Sequence, residues 1–436
     1  MTELPTEPQT EPKTWPSRNP LLRALTSRPA LLLAFVGVHL ALVWLGLHGV
    51  GQPMGDIPNA YWPWVDFMLK THHYLGLDQS WVYPYPNLLF VLAPAGFPGM
   101  DYQTAWLTMA TCIDVLSLAT LLYWNPQGSG AAGVAANRRL YAGWLWALGL
   151  FLLGPVGISR LDTISVAIAV LAITAWLNLK PNIAAVWFAV ATWIKVWPFA
   201  ILGALIFTAK SKGRVALWGI GAGLALLILG LLIGDFRSVL GFVFEQSDRG
   251  IQIESPWAAW WLWLGVVGVQ GTGLYYDMGL QTFQVQGDGT VLIAALLGPV
   301  MYGAVAITFA LSWFAQKRAN TQEQLNQVFA WTSLTAVLDL IAFNKVGSPQ
   351  YYGWLIIPAI VFGLVRPQQW RTVLVWILGL VALTGYIYPV IYDAILSANP
   401  LATAVLTGRN LLLLGLLVLA NMRLTGLTAK KSPPVL

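Results

Sequence analysis

The chain has 436 residues, 57% of them hydrophobic and only 10% charged, with a formal net charge of +6. A soluble domain carries about a quarter charged residues, so this balance excludes a soluble enzyme or a nucleic-acid-binding module, and no nucleic-acid partner is expected. The single cysteine, Cys112, excludes an intrachain disulfide and any Cys-rich metal site.

Residues 1–28 start polar and proline-rich and read as a disordered cytoplasmic tail. The first apolar run, 29–48, follows Arg18, Arg23 and Arg28, with no convincing cleavage site after it. It reads as an uncleaved span whose positive flank places the N-terminus in the cytoplasm. Further apolar runs follow at 102–124, 140–158, 161–178, 182–194, 196–209, 213–234, 291–315, 323–343, 352–365, 372–390 and 404–421. Together they predict an all-α polytopic membrane protein of about twelve crossings, with a transmembrane domain over 29–421 and a cytoplasmic tail over 422–436. The runs at 182–194, 196–209 and 352–365 are short for a hydrocarbon core of about 30 Å. They are expected to stop part-way, around a water-filled cavity. In this topology the cytoplasmic loops carry Arg138, Arg139, Lys180, Lys210, Lys212, Arg214, Lys317, Arg318, Arg366, Arg371, Arg423, Lys430 and Lys431. That is a positive-inside bias, and each cation on the other side calls for its own explanation.

The first outer island, 55–86, opens on Asp56 and continues as a helix toward Lys70. Asp56 suits an N-cap, with Pro58 in the first turn, and equally a catalytic base just beyond the membrane. Adjacent His72 and His73 point apart on a helix and read as interfacial polar residues. Trp81, Tyr83 and Tyr85 punctuate the end of the island, before a short apolar piece at 87–98.

Farther along, Arg160 and Asp162 lie between two spans, either capping the next helix or facing a cavity; ionisable groups at membrane depth are candidates for function. Lys195 sits where Pro198 breaks a helix. It either snorkels to the surface or meets an anion. The glycine-rich 219–223 lies inside an apolar span and reads as close helix packing. The second island, 235–289, holds Arg249, Gln252 and Glu254, suited to sugar hydroxyls or to a polar loop network. A Trp-rich piece at 256–269 and a small hairpin over 275–289 follow. Lys345 and Gln350 flank a Ser348-Pro349 break, and Arg409-Asn410 opens the last span at headgroup level.

These motifs together resemble the GT-C superfamily of polyprenyl-phosphate-sugar-dependent glycosyltransferases. The resemblance rests on Asp56 in the first outer loop, Tyr83-Pro84-Tyr85-Pro86 at its end, and Arg160-x-Asp162. Lys195-Val196-Trp197-Pro198, Arg249 to Ser255, Lys345 to Tyr351, and Arg409-Asn410 are more closely similar to glycosyltransferase family 87. Where relatives often carry an acid before the Tyr-Pro pair, this chain has Val82. The resemblance implies a GT-C fold with interfacial helices in large outer loops, in a bacterial plasma membrane, with both termini cytoplasmic and the active site outside. It implies a polyprenyl-phosphate sugar donor, mannose-like, a glycan or glycolipid acceptor, and inversion at the anomeric carbon with Asp56 as general base.

The residue inventory supports the same chemistry. A sugar on polyprenyl phosphate already has a good leaving group, so the reaction needs positive charge where negative charge develops. Lys195, Lys345, Arg409 and Arg160 are assigned to the donor phosphate. Asp162, Arg249, Gln252, Glu254, Gln350, Tyr83 and Tyr85 are assigned to the substrates. No metal and no cofactor beyond the lipid-linked substrate is expected. Two alternatives share the architecture: a flippase or transporter for a polyprenyl-linked sugar, and a ligase using a lipid-pyrophosphate glycan.

Overall fold

The computed structural model describes residues 27–124, 132–245, 249–279 and 281–429. The expected tail up to residue 26, Ser247-Asp248 of the second island, and Lys430-Lys431 lie outside the described residues. Among the described residues the chain is an all-α multi-pass membrane protein apart from one short hairpin. Among the described residues, seven helical stretches are long and apolar enough to cross a membrane.

Helix α1 (Arg28–His48) begins where Ser27 accepts from the Ala30 N–H. The first island forms a π-helical turn at Ile57–Tyr61 and α2 (Trp62–Thr71). Helix α3 (Tyr102–Tyr123) starts where the Asp101 carboxylate accepts from Thr104 N. Then come α4 (Ala132–Leu153), α5 (Leu161–Leu177), α6 (Pro181–Ile194), α7 (Phe199–Thr208) and α8 (Lys212–Ile233). The second island holds α9 (Ala259–Val266) and the hairpin β1 (Gly273–Asp277) and β2 (Thr282–Gln286), in which Tyr275 pairs with Gln284. Helix α10 (Thr290–Arg318) leads to α11 (Gln322–Ala342), whose start is a reciprocal cap between Thr321 and Gln324. A 3-10 stretch over Pro349–Leu355 precedes α12 (Ile356–Val365); α13 (Trp370–Gly385) and α14 (Pro400–Ala429) complete the bundle. Helix α14 extends eight residues past the expected span end at 421.

Burial separates an inner from an outer set. Most of the apolar stretch of α11 is buried, against a small share of those in α8 and α10. Nearly all of α5 is buried, as is α12. Helices α8 and α10 therefore turn apolar side chains such as Leu217, Leu232, Val291 and Tyr302 outward, where only lipid solvates them without penalty. Helix α6, at 14 residues, rises only about 21 Å. It ends because Lys195 turns extended and Pro198 cannot continue the ladder.

The long connections gather at one end of the bundle. Asn87 donates to Ile194 O, and Asp235 N to Leu77 O. Gln252 N donates to Lys345 O, and Ser255 Oγ to Asn344 O. Gly347 crosses so close to Ser255 N that a Cβ there would collide with backbone. Gly51, in the left-handed region, packs on Pro389 and brings the Asp56 loop against the segment after α13.

Candidate functional site

The start of α5 is the pivot of the site. Arg160, extended, precedes the helix, and Asp162 stands in its first turn. The two side chains part. Arg160 pairs with the Asp56 carboxylate, while Asp162 Oδ2 meets Lys195 Nζ at 3.3 Å. Asp162 Oδ1 accepts from Trp354 Nε1 at 2.7 Å. Asp56 therefore does not cap: it precedes the π-helical turn in helical conformation, with no side-chain bond to a helix N–H. The N-cap reading of this residue gives way to an ion pair across 104 positions.

The two members of that pair differ in access. The Arg160 side chain is 9% exposed and that of Asp56 39%. Tyr388 lies within hydrogen-bonding reach of the guanidinium, and Tyr392 is nearby. The Nε of Arg160 has no hydrogen-bond partner among the described residues. The Asp56 loop is held in place by neighbours on both sides. Leu161 N donates to the Tyr61 hydroxyl at 3.3 Å, and Gln281 Nε2 to Asn59 O at 3.4 Å.

Lys195 is enclosed by aromatic rings. Its ammonium sits 4.5 Å from the centre of the Tyr83 ring, and Tyr351 lies near it. Tyr351 stacks on Trp354 at 4.1 Å, and Trp354 on Trp197 at 5.7 Å. Trp197 in turn donates to Ser165 Oγ. On the far side Tyr83 meets Trp64 and Trp81 edge-on. A lysine that snorkels to a surface would not be walled in this way, so Lys195 is a largely enclosed cation with a dedicated carboxylate. Tyr83 belongs to this cluster. Tyr85 turns away instead, its hydroxyl donating to Leu226 O in α8 and its ring meeting Trp193.

Glu254 and Arg409 form a second centre. Arg409 is fully buried and each guanidinium nitrogen already donates: Nε to Asn410, Nη1 to a Glu254 carboxylate oxygen at 3.1 Å, Nη2 to the Glu254 carbonyl at 2.7 Å. Its face lies 4.5 Å from the centre of the Tyr352 ring. Burial pushes the Glu254 carboxyl above its ordinary range, and Arg409 pulls it back. Gln252 is buried beside it, accepting from Ser348 at 3.4 Å, and bridges to Gln284 of β2. Arg249 neighbours Tyr351, and its Nε has no hydrogen-bond partner among the described residues. Lys345 is half-buried, with its carbonyl accepting from Gln252 N. Gln350 lines a small cavity with Asp162, Thr163 and Gly353. The four cations assigned to one phosphate thus divide: Arg160 and Lys195 flank Asp162, Arg409 is spent on Glu254, and Lys345 stands in the separate segment whose backbone meets Gln252.

One constellation escaped the sequence reading. His39 of α1 and Asp114 of α3, both fully buried, meet at 3.0 Å, and Thr163 of α5 donates to the same Asp114 oxygen at 3.0 Å. His39 Nδ1 donates to Phe35 O. A histidine and an aspartate inside two apolar spans were the available signal. Their role is visible from position: they hold the first turn of α5, which carries Asp162. Among the described residues no three His, Cys, Asp or Glu side chains group as metal ligands.

A scan against protein-family models and a search of curated proteins find no match for this chain.

Proposed function

We propose that the chain is an inverting glycosyltransferase of GT-C type that moves a sugar from a polyprenyl phosphate to an acceptor hydroxyl. One observation carries this reading: one turn of α5 links two carboxylate–cation pairs, the partly open Asp56 with the buried Arg160 and Asp162 with the largely enclosed Lys195, in a multi-pass membrane protein. Buried cations at membrane depth are costly and need anionic partners. A lipid phosphate brings such an anion at the right depth, and its sugar outward.

The chemistry follows from the residue types. The acceptor oxygen attacks the anomeric carbon as the bond from that carbon to the phosphate oxygen breaks. The acceptor proton passes to Asp56, and the polyprenyl phosphate leaves with the electron pair. Arg160 and Lys195 stabilise the charge that grows on the phosphate. One displacement inverts the centre. The aromatic group of Tyr83, Trp81 and Trp64 supplies apolar faces for a sugar ring. Together with the seven long stretches, Ala132–Leu153 and the four shorter apolar helices make up the twelve proposed crossings. The cation-rich ends of α4, α8, α10 and α13 face the cytoplasm in this arrangement, and the Asp56 end faces outward.

Purified protein is incubated with a panel of polyprenyl-phosphate sugars and acceptors, and transfer is read by mass spectrometry. Asp56→Asn is expected to lower transfer by about 10²–10⁴-fold while the purified protein still elutes as a folded species. Wild-type turnover in that variant removes Asp56 from the role. The broken helix at Lys195 also suits a transporter for the same lipid; lipid movement across proteoliposomes without sugar transfer would favour it.

A further inference from the structure

We propose that the Asp56–Arg160 ion pair is a latch that an incoming phosphate opens: the phosphate takes the guanidinium, and Asp56 is released. The proposal rests on the glycosyltransferase reading of the site and adds an order of events to it.

Three observations carry it. First, the pair as it stands occupies the carboxylate: an Asp56 oxygen already faces the Arg160 guanidinium, whereas a general base must stand within hydrogen-bond reach of the acceptor proton. Second, the partners are unequal. The Arg160 side chain is 9% exposed and Asp56 39%. A buried guanidinium stripped of its partner is strongly destabilised, whereas a carboxylate with access to water is not. Arg160 therefore exchanges one anion for another and does not stand alone, and Asp56 is the member free to leave. Third, the two other acids assigned to the site are already engaged. Asp162, two residues away, is engaged by Lys195 on one oxygen and Trp354 on the other, and Glu254 by Arg409. Arg160 also keeps an Nε without a partner among the described residues, so a phosphate with several oxygens can engage more of its fork than the single Asp56 oxygen that now meets Nη1.

The consequence is ordered binding. The donor phosphate enters first, releases Asp56, and only then does the site hold a base for the acceptor. Without donor, Asp56 stays paired and the site is quiet.

The experiment titrates the purified full-length protein in nanodiscs with a C20 prenyl phosphate, and in parallel with inorganic phosphate, reading tryptophan fluorescence or calorimetry; C20 prenol is the uncharged control. In Asp56→Asn the competitor for Arg160 is gone, so phosphate affinity is expected to rise about tenfold, equal to ~1.4 kcal/mol. Arg160→Gln is expected to abolish that gain when combined with Asp56→Asn. A rise in both arms assigns the exchange to the phosphate group itself; a rise confined to the prenyl arm assigns it to a lipid-borne phosphate. Unchanged or weaker binding in Asp56→Asn overturns the latch. Binding is read without turnover. A rise in affinity with no transfer from any donor therefore keeps the latch and removes the glycosyltransferase reading; transfer with unchanged affinity does the reverse.

Discussion

The two ends of the bundle are both rich in cations but use them differently. At the end where α3 stops and α4 starts, cations meet carbonyls and rings. Arg139 donates to Leu121 O, Trp124 O and Asn178, and Arg138 to Leu364 O. Lys180 lies over Trp124, Lys212 and Lys317 over Trp313, and Arg366 over Tyr141 and Trp370. At the end that holds the long loops, the enclosed cations meet carboxylates: Arg160 with Asp56, Lys195 with Asp162, Arg409 with Glu254. The first arrangement satisfies helix C-termini and anchors side chains at a headgroup level. The second assembles acids and bases at membrane depth, with only Asp56 partly open to water, and a membrane protein retains such charge where it needs it for a task. The difference teaches that cation number alone does not mark a site; the kind of partner and the depth of burial do.

Breaking the buried pair tests that contrast most severely. Glu254→Leu leaves Arg409 buried and unpaired and is expected to destabilise the fold by roughly 3–5 kcal/mol. The double variant Glu254→Leu with Arg409→Met should recover much of the loss. Thermal unfolding followed by size-exclusion measures both, and additive losses would argue against a coupled pair. Gly347→Ala comes next. Its Cβ meets the backbone of Glu254 and Ser255, which cannot swing aside, so about 1–3 kcal/mol is expected, together with weaker binding at the site. At the opposite end, Arg139→Met leaves the carbonyls of Leu121 and Trp124 without their guanidinium partner, at about 1–3 kcal/mol, while substrate binding stays normal. An altered affinity there would blur the division between the ends. Lys317→Gln, over the Trp313 ring, should change stability by less than about 0.5 kcal/mol; a melting shift as large as that of Arg139→Met would show that this ring contact anchors the helix.

Helices were legible because apolar runs of span length admit few alternatives in a chain this poor in charge. The hairpin was legible from turn residues between alternating apolar ones. The break at Lys195 was legible from Pro198. Partners were not. Asp56 looked like an N-cap because local rules see only the residues that follow it, and its partner lies 104 positions away. Arg409 looked like a phosphate ligand from its place at a helix start, yet Glu254, 155 residues earlier in the chain, occupies it. His39 and Asp114 went unmarked because each is a lone polar residue in an apolar span until α1 and α3 are packed together.

By itself the sequence determined a mainly helical membrane protein, where its apolar helices fall, and which polar residues stand near their ends, because transfer of apolar surface out of water depends on local composition and length. Only the tertiary structure decided which acid meets which base, that Lys195 is walled by Tyr83 and Tyr351, and that Asp56 faces Arg160. Ion pairing depends on distance through space and on burial, and neither is written in the spacing of residues along the chain.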